Sequence, residues 1–209
     1  MKSLFFSCLY VLLLAGTAVA QPEVALRKGD LLFQDLDCGG MCDAIEAVTQ
    51  GFGGHHFSHV GIVDISGDSV MVIEAIGVKV QRIPLAQFRS RNKNTIWLGR
   101  VREHPEEIGS AAVSYARRQI GKPYDGLFRM DEDKFYCSEL VYDAFRKANG
   151  NKPFFTLNPM TFREPGKQQF FPVWEQYFKE LGQAPPEGEP GINPGGISRS
   201  ERLDVFPLK

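Results

Sequence analysis

Cys137 is a candidate nucleophile because of where it sits. It follows Phe135-Tyr136 and precedes Leu140, Val141, Ala144, Phe145 and Ala148, which recur at helical spacing between Ser138 and Gly150. Unpaired N–H groups at a helix start carry partial positive charge, which favours a thiolate and offers donors to an oxyanion. The alternative is an apolar cysteine packed in the core. A thiolate nucleophile needs a base within hydrogen-bond reach, and the chain has four histidines. His104, beside Pro105, reads as a connector, and His55 and His56 read as exposed residues of a glycine-rich break. His59 differs, because it opens the apolar run Val60-Gly61-Ile62-Val63 and a strand would hold it rigidly. The base in turn needs a partner for its second ring nitrogen. Glu74 fits, as a carboxylate inside Val72-Ile73-Glu74-Ala75, where an unpaired charge is costly to bury. The alternative is an exposed glutamate on an edge strand. A metal held by His55, His56 and His59 is disfavoured, since no carboxylate or thiol is spaced to complete it.

These residues need elements to position them. Short apolar or β-branched runs predict strands at Asp30–Gln34, His59–Ile65, Ser69–Ala75, Val78–Ile83 and Ile96–Val101. Gly67-Asp68 is a hairpin signal that places the Glu74 strand beside the His59 strand, within cross-strand reach. Helical spacing then takes over, from Pro105 to a stop at Gly121 and again after Ser138. Shorter helices are expected over Asp43–Val48, with Asp43 as N-cap, and over Phe171–Leu181. Gln183–Gly196, rich in Pro and Gly, is expected to lie extended over the surface. The class is α+β, a small antiparallel barrel-like sheet packed against helices. Phe154, Phe155, Phe162, Phe170, Phe171, Trp174, Tyr177 and Phe178 read as core or as the lining of a lipid cleft. Ser58 and Ser138 read as local backbone caps.

The chain has 209 residues, 43% of them hydrophobic, and a formal net charge of -1. That suits one packed domain and gives no electrostatic footprint for nucleic acid. Residues 1–20 read as a cleaved secretion signal: Lys2, an apolar stretch from Leu4 to Ala15, then Ala18-Val19-Ala20, with Gln21 opening the mature chain. An uncleaved anchor helix is the alternative. Cys8 lies too early to be a lipoprotein acceptor site. No later segment is apolar enough to span a membrane. An exported chain meets an oxidising compartment, so Cys38 and Cys42, separated by Gly39-Gly40-Met41, are a candidate disulfide; two free thiols under a loop are the alternative. Either way Cys137 is left over.

The blocks around these residues resemble a family. Gly121-Lys122-Pro123-Tyr124 followed by Phe135-Tyr136-Cys137-Ser138-Glu139 is similar to the nucleophile region of NlpC-type papain-like peptidases. Gly29-Asp30-Leu31-Leu32-Phe33, Ser58-His59-Val60-Gly61-Ile62 and Val72-Ile73-Glu74-Ala75 are similar to the strands that follow it, including those of its histidine and third polar residue. The usual order is cysteine first; here Cys137 comes last. That order resembles the circularly permuted YiiX/YebB-like branch, over roughly Lys28 to Ala148. Permutation is tolerable where chain termini lie close together at the surface. The resemblance implies a cysteine hydrolase with no cofactor and no metal, acting on a peptide, small-molecule or lipid-derived substrate. It implies Tyr124 near the nucleophile as an oxyanion or substrate contact, with Tyr136 and Asp125 as weaker site candidates. Amide hydrolysis through a thioester is the leading expectation. Lipid acyl hydrolysis or acyl transfer is the second, and a non-catalytic binding module the third. The segment from about residue 151 and the Cys38–Cys42 element have no counterpart in the matched blocks.

Overall fold

The computed structural model describes residues 24–91, 93–130 and 133–208; the secretion-signal expectation for residues 1–20 lies outside them. Among the described residues, eight strands and six α-helices run in the order β1 (Leu31–Gln34), α1 (Gly40–Val48), β2 (His59–Ser66), β3 (Ser69–Ile76), β4 (Lys79–Pro84), α2 (Leu85–Ser90), β5 (Trp97–Val101), α3 (Pro105–Gln119), α4 (Cys137–Ala148), β6 (Asn158–Pro159), α5 (Pro172–Glu180), β7 (Pro190–Gly191), α6 (Pro194–Ser198) and β8 (Leu203–Pro207). Six strands form one antiparallel sheet in the order β4-β3-β2-β1-β5-β8, and β6 pairs with β7. The fold is α+β, an antiparallel sheet packed against helices.

Period-2 alternation splits the strands between two faces. Leu31, Phe33, Val60, Ile62, Ile73, Ala75 and Val80 pack against Ala112, Val113 and Ala116 of α3 and Leu140, Val141, Ala144 and Phe145 of α4. Leu32, Val63, Val72, Ile83 and Leu98 face the other way and are covered by Phe88 of α2. Fully burying one such side chain contributes roughly 1.5–3 kcal/mol, so this double-sided burial fixes the register of β2 against β3. Gly29 lets α3 close onto the sheet: a Cβ there would lie 2.2 Å from the Cα of Gly109.

Three local expectations are corrected, and the choice between core and cleft for the aromatic residues falls to core. The helix expected from Asp43 begins at Gly40, because the Cys38–Cys42 disulfide closes its first turn; Asp43 lies inside that turn and caps nothing. Gln183–Gly196 does not simply lie on the surface: Gly191, Ile192, Pro194 and Gly195 are buried, and α6 packs against α4. The sheet has a sixth strand, β8, which pairs with β5. The aromatic residues do not line a single cleft. Phe154 and Phe155 pack on Phe145 in the main core, while Phe162, Trp174 and Phe178 form a separate cluster with Phe128 and Tyr136.

Candidate active site

β2 begins with His59 and β3 carries Glu74 two residues before its end. Ile62 pairs with Ile73, so His59 and Glu74 are diagonal neighbours on one face of the hairpin, a separation that long side chains bridge. Their side chains meet: His59 Nε2 lies 2.7 Å from Glu74 Oε2, with both residues buried. This leaves Nδ1 of the ring free of the carboxylate, and the Cys137 thiol lies close enough to the ring to raise its pKa. Cys137 is the first residue of α4 and is buried. Cys137, His59 and Glu74 are thus gathered at one place, with the imidazole against the carboxylate and the thiol beside the imidazole. Gly61 makes room beside them, since a Cβ there would lie 2.5 Å from Val72 Cγ1 and 3.1 Å from the Phe88 ring, which itself lies 5.9 Å from the His59 ring.

The charges reinforce one another. Burial alone would push the imidazole toward its neutral form, but its hydrogen bonds to Cys137 and Glu74, and their negative charge, raise its pKa from 6.5 to about 9. Burial would likewise protonate Glu74, yet His59 and then Arg91 hold it below the usual carboxylate range. The Arg91 guanidinium donates from Nη2 to Glu74 Oε2 at 2.6 Å, and Gln81 Nε2 donates to Oε1 at 2.8 Å. Both were missed from sequence. Gln81 is the direct cross-strand partner of Glu74 and was open to discovery by register counting; Arg91 just beyond α2 carries no such signal.

The turn before α4 is held from both sides by one distant residue. Ile192 N donates to the Tyr136 hydroxyl at 3.3 Å, and Ser138 Oγ donates to the Ile192 carbonyl at 3.0 Å. Ser138 is therefore a long-range tether, not a local cap. The Tyr136 hydroxyl also donates to Met130 Sδ at 3.4 Å, so it is committed to holding this turn. Its backbone N–H donates to Glu139 Oε2 at 3.2 Å inside the first turn of α4. Ser58 Oγ accepts from Leu36 N at 2.8 Å, bracing the approach to His59 from outside any helix.

Tyr124 is half-buried, anchored by its N–H donating to the Val78 carbonyl at 2.9 Å. Burial and the negative charge at Cys137 raise its phenol well above the ordinary range, so it stays a donor. Asp125 accepts from Leu127 N at 2.9 Å and Arg129 N at 2.6 Å, which makes it the brace of its own loop. His55 stacks on Trp97, with centroids 4.1 Å apart. With His56 it lines a cavity of about 270 Å³ that excludes Cys137, His59 and Glu74. His104 takes a left-handed conformation, φ 51°, ahead of α3. Among the described residues no three His, Cys, Asp or Glu side chains gather as a metal site, and no helix is long and apolar enough to cross a membrane.

Comparison with known proteins fits this geometry. The family model described as permuted papain-like amidase enzyme, YaeF/YiiX, matches residues 25–205. The uncharacterized protein YiiX of Escherichia coli (strain K12) is 30% identical over 143 residues, which cover 66% of this chain and 68% of that protein. The crystal structure of metalloprotein yiiX from Escherichia coli O157:H7 superposes with a TM-score of 0.72 at 25% identity, covering 88% of this chain and 97% of that one. A cysteine–histidine–carboxylate set read in the order histidine, carboxylate, cysteine is what a rearranged papain-like chain produces, and this chain belongs to the permuted papain-like amidase family of YaeF and YiiX.

Proposed function

We propose that the chain is an exported cysteine amidase that cleaves an amide bond, in a cell-wall peptide or related compound, through a thioester. The observation that carries the reading is one buried imidazole hydrogen-bonded to a buried carboxylate and flanked by the thiol that opens α4. Cys137 passes its proton to His59, and the thiolate attacks the carbonyl carbon to form a C–S bond. The oxyanion is taken by the backbone N–H of Cys137 and the Tyr124 hydroxyl. The imidazolium of His59 then gives its proton to the departing amine as the C–N bond breaks. Water attacks the thioester with its proton going to His59, the carboxylic acid leaves, and the thiol is restored. Glu74 keeps the ring oriented throughout. Residues 1–20 support secretion, with action in the periplasm or outside the cell, where the Cys38–Cys42 bridge is stable.

The Escherichia coli O157:H7 relative is a metalloprotein. The residues present here do not fit a metal centre: no three ligating side chains gather among the described residues, and His59 Nε2 is taken by Glu74.

A second reading, a lipid acyl substrate, has one observation in its favour. Val78, 80% exposed at the tip between β3 and β4, accepts from Tyr124 N at its carbonyl, and Ile120, 43% exposed, precedes Gly121, whose N–H donates to the Val80 carbonyl, so two exposed apolar side chains belong to the segments that hold Tyr124. The deciding experiment compares wild type with Cys137→Ala on peptidoglycan fragments and on lipids. Amine release lost in the variant supports the amidase. Fatty-acid release alone supports the second reading, and no turnover on either panel by a folded protein with a reactive Cys137 overturns both.

A further inference from the structure

Glu74 is fully buried, and its two oxygens are treated differently. Oε1 receives one neutral donor, Gln81 Nε2. Oε2 receives both His59 Nε2 at 2.7 Å and Arg91 Nη2 at 2.6 Å. One carboxylate oxygen is thus shared between the ring that moves protons and a guanidinium that does not titrate. Arg91 is locked in place: its guanidinium carbon lies 5.2 Å from the centroid of Phe88, the same ring that sits beside His59. The charged or titratable groups facing the pair are Cys137 from α4 and Arg91 from the end of α2. β4 contributes the neutral Gln81, and β1 the neutral Gln34, register partner of His59, whose Nε2 donates to the Phe88 carbonyl at 2.9 Å.

Resting on the amidase reading, we propose that Arg91 is a positioning residue that keeps Glu74 ionised through the whole cycle, so that His59 can give up its proton without the carboxylate taking one. When His59 donates to the leaving group it becomes neutral, and Glu74 loses its cationic partner while still dry. A buried carboxylate in that state takes up a proton readily. A protonated Glu74 has a donor where His59 Nε2–H needs an acceptor, and the ring orientation is lost. Arg91 prevents this by leaving a fixed positive charge on Oε2 at every stage.

The test needs no substrate. The pH dependence of Cys137 alkylation by iodoacetamide, followed by mass spectrometry on the disulfide-intact protein, reports the thiolate forming at its acid limb and the His59–Glu74 pair losing its proton at its alkaline limb. Arg91→Met and Arg91→Gln remove the charge; Arg91→Lys keeps it. The alkaline limb of the profile is expected to move upward by about one pH unit in Arg91→Met and Arg91→Gln, because without the fixed positive charge on Glu74 the pair holds its proton longer. In Arg91→Lys it is expected to stay within a few tenths of wild type. Unshifted limbs in folded Met and Gln variants overturn the proposal. So does loss of the fold in both, which makes Arg91 structural, and so does a Lys variant as shifted as the other two. Wild-type Cys137 that does not alkylate selectively, or does so equally in His59→Ala, overturns the amidase reading itself, a result distinct from any of these.

Discussion

Glu74 on β3 and Asp64 on β2 belong to one hairpin, and both are completely buried. Asp64 faces α3 and is met by two guanidinium groups: Arg117 donates from Nη2 at 2.6 Å and Nε at 2.9 Å, and Arg82 donates from Nε at 2.7 Å. Glu74 faces α2 and is met by one guanidinium, one amide and an imidazole that also touches a thiol. Asp64 is a closed ion cluster whose partners cannot release a proton. Glu74 is an open one, with a single titratable partner and a path onward. Burial of a carboxylate thus marks cost, and the kind of partner decides whether that cost is structural or catalytic.

The strongest challenge to this contrast is Cys137→Ala. It is expected to abolish turnover while leaving the melting temperature near wild type, because neither carboxylate loses a partner. A large fall in stability would mean that the sulfur is core filler. Glu74→Gln should follow, with kcat down about 100-fold, in the range of a mispositioned acid–base group. Asp64→Asn should do the opposite, costing about 3 kcal/mol by breaking a buried ion cluster while Cys137 alkylates at the wild-type rate. Denaturant unfolding beside alkylation kinetics separates the two; equal kinetic losses at both positions would erase the distinction.

pH sharpens it further. His59 is raised from 6.5 to about 9, so its contribution to folding is complete below 6.5 and disappears as pH rises through about 9. Amide turnover should fall over the same upper range, where the imidazolium is lost. In Glu74→Gln that alkaline limb should move to lower pH; in Asp64→Asn it should not move. Both carboxyls are held low, so their stabilisation is present above the ordinary carboxylate range and lost as pH falls through their folded values. Acid unfolding should therefore be blunted in Asp64→Asn relative to its already lowered starting stability.

Much of this was legible in the sequence, for physical reasons. β2 and β3 alternate with period 2 around a Gly67-Asp68 turn, which puts His59 and Glu74 on one face before any coordinates are consulted. Cys137 announces itself as the unpaired cysteine at a helix start. Asp64 carries the same signature as Glu74, a carboxylate in an apolar strand, and only alternation separates them: it lies five residues after His59 on the same strand and so on the opposite face. α2 has six residues, too few to show a period, so Phe88 and Arg91 were hidden with it. Ile192 was hidden for another reason: proline and glycine around it report turns, and turns are read as surface, whereas here the chain folds back to bridge Tyr136 and Ser138. β8 was hidden because its partner β5 lies about a hundred residues earlier in the chain.

The finest division lies within β4, where consecutive residues serve the two carboxylates from opposite faces: Gln81 donates to Glu74 and Arg82 to Asp64. Strand alternation alone requires that split. Gln81→Leu removes one neutral hydrogen bond from a carboxylate that keeps two charged partners. It should slow turnover only several-fold, at a stability cost of about 1 kcal/mol. Arg82→Gln leaves Asp64 its bidentate pair with Arg117, so it should cost stability on the order of 1 kcal/mol and leave turnover and the alkylation profile unchanged. The two costs in stability are similar, and only kinetics tells the sites apart. If Arg82→Gln slowed the chemistry as much as Gln81→Leu, the two faces of the hairpin would be coupled, and a carboxylate's partners would no longer be enough to say what it does.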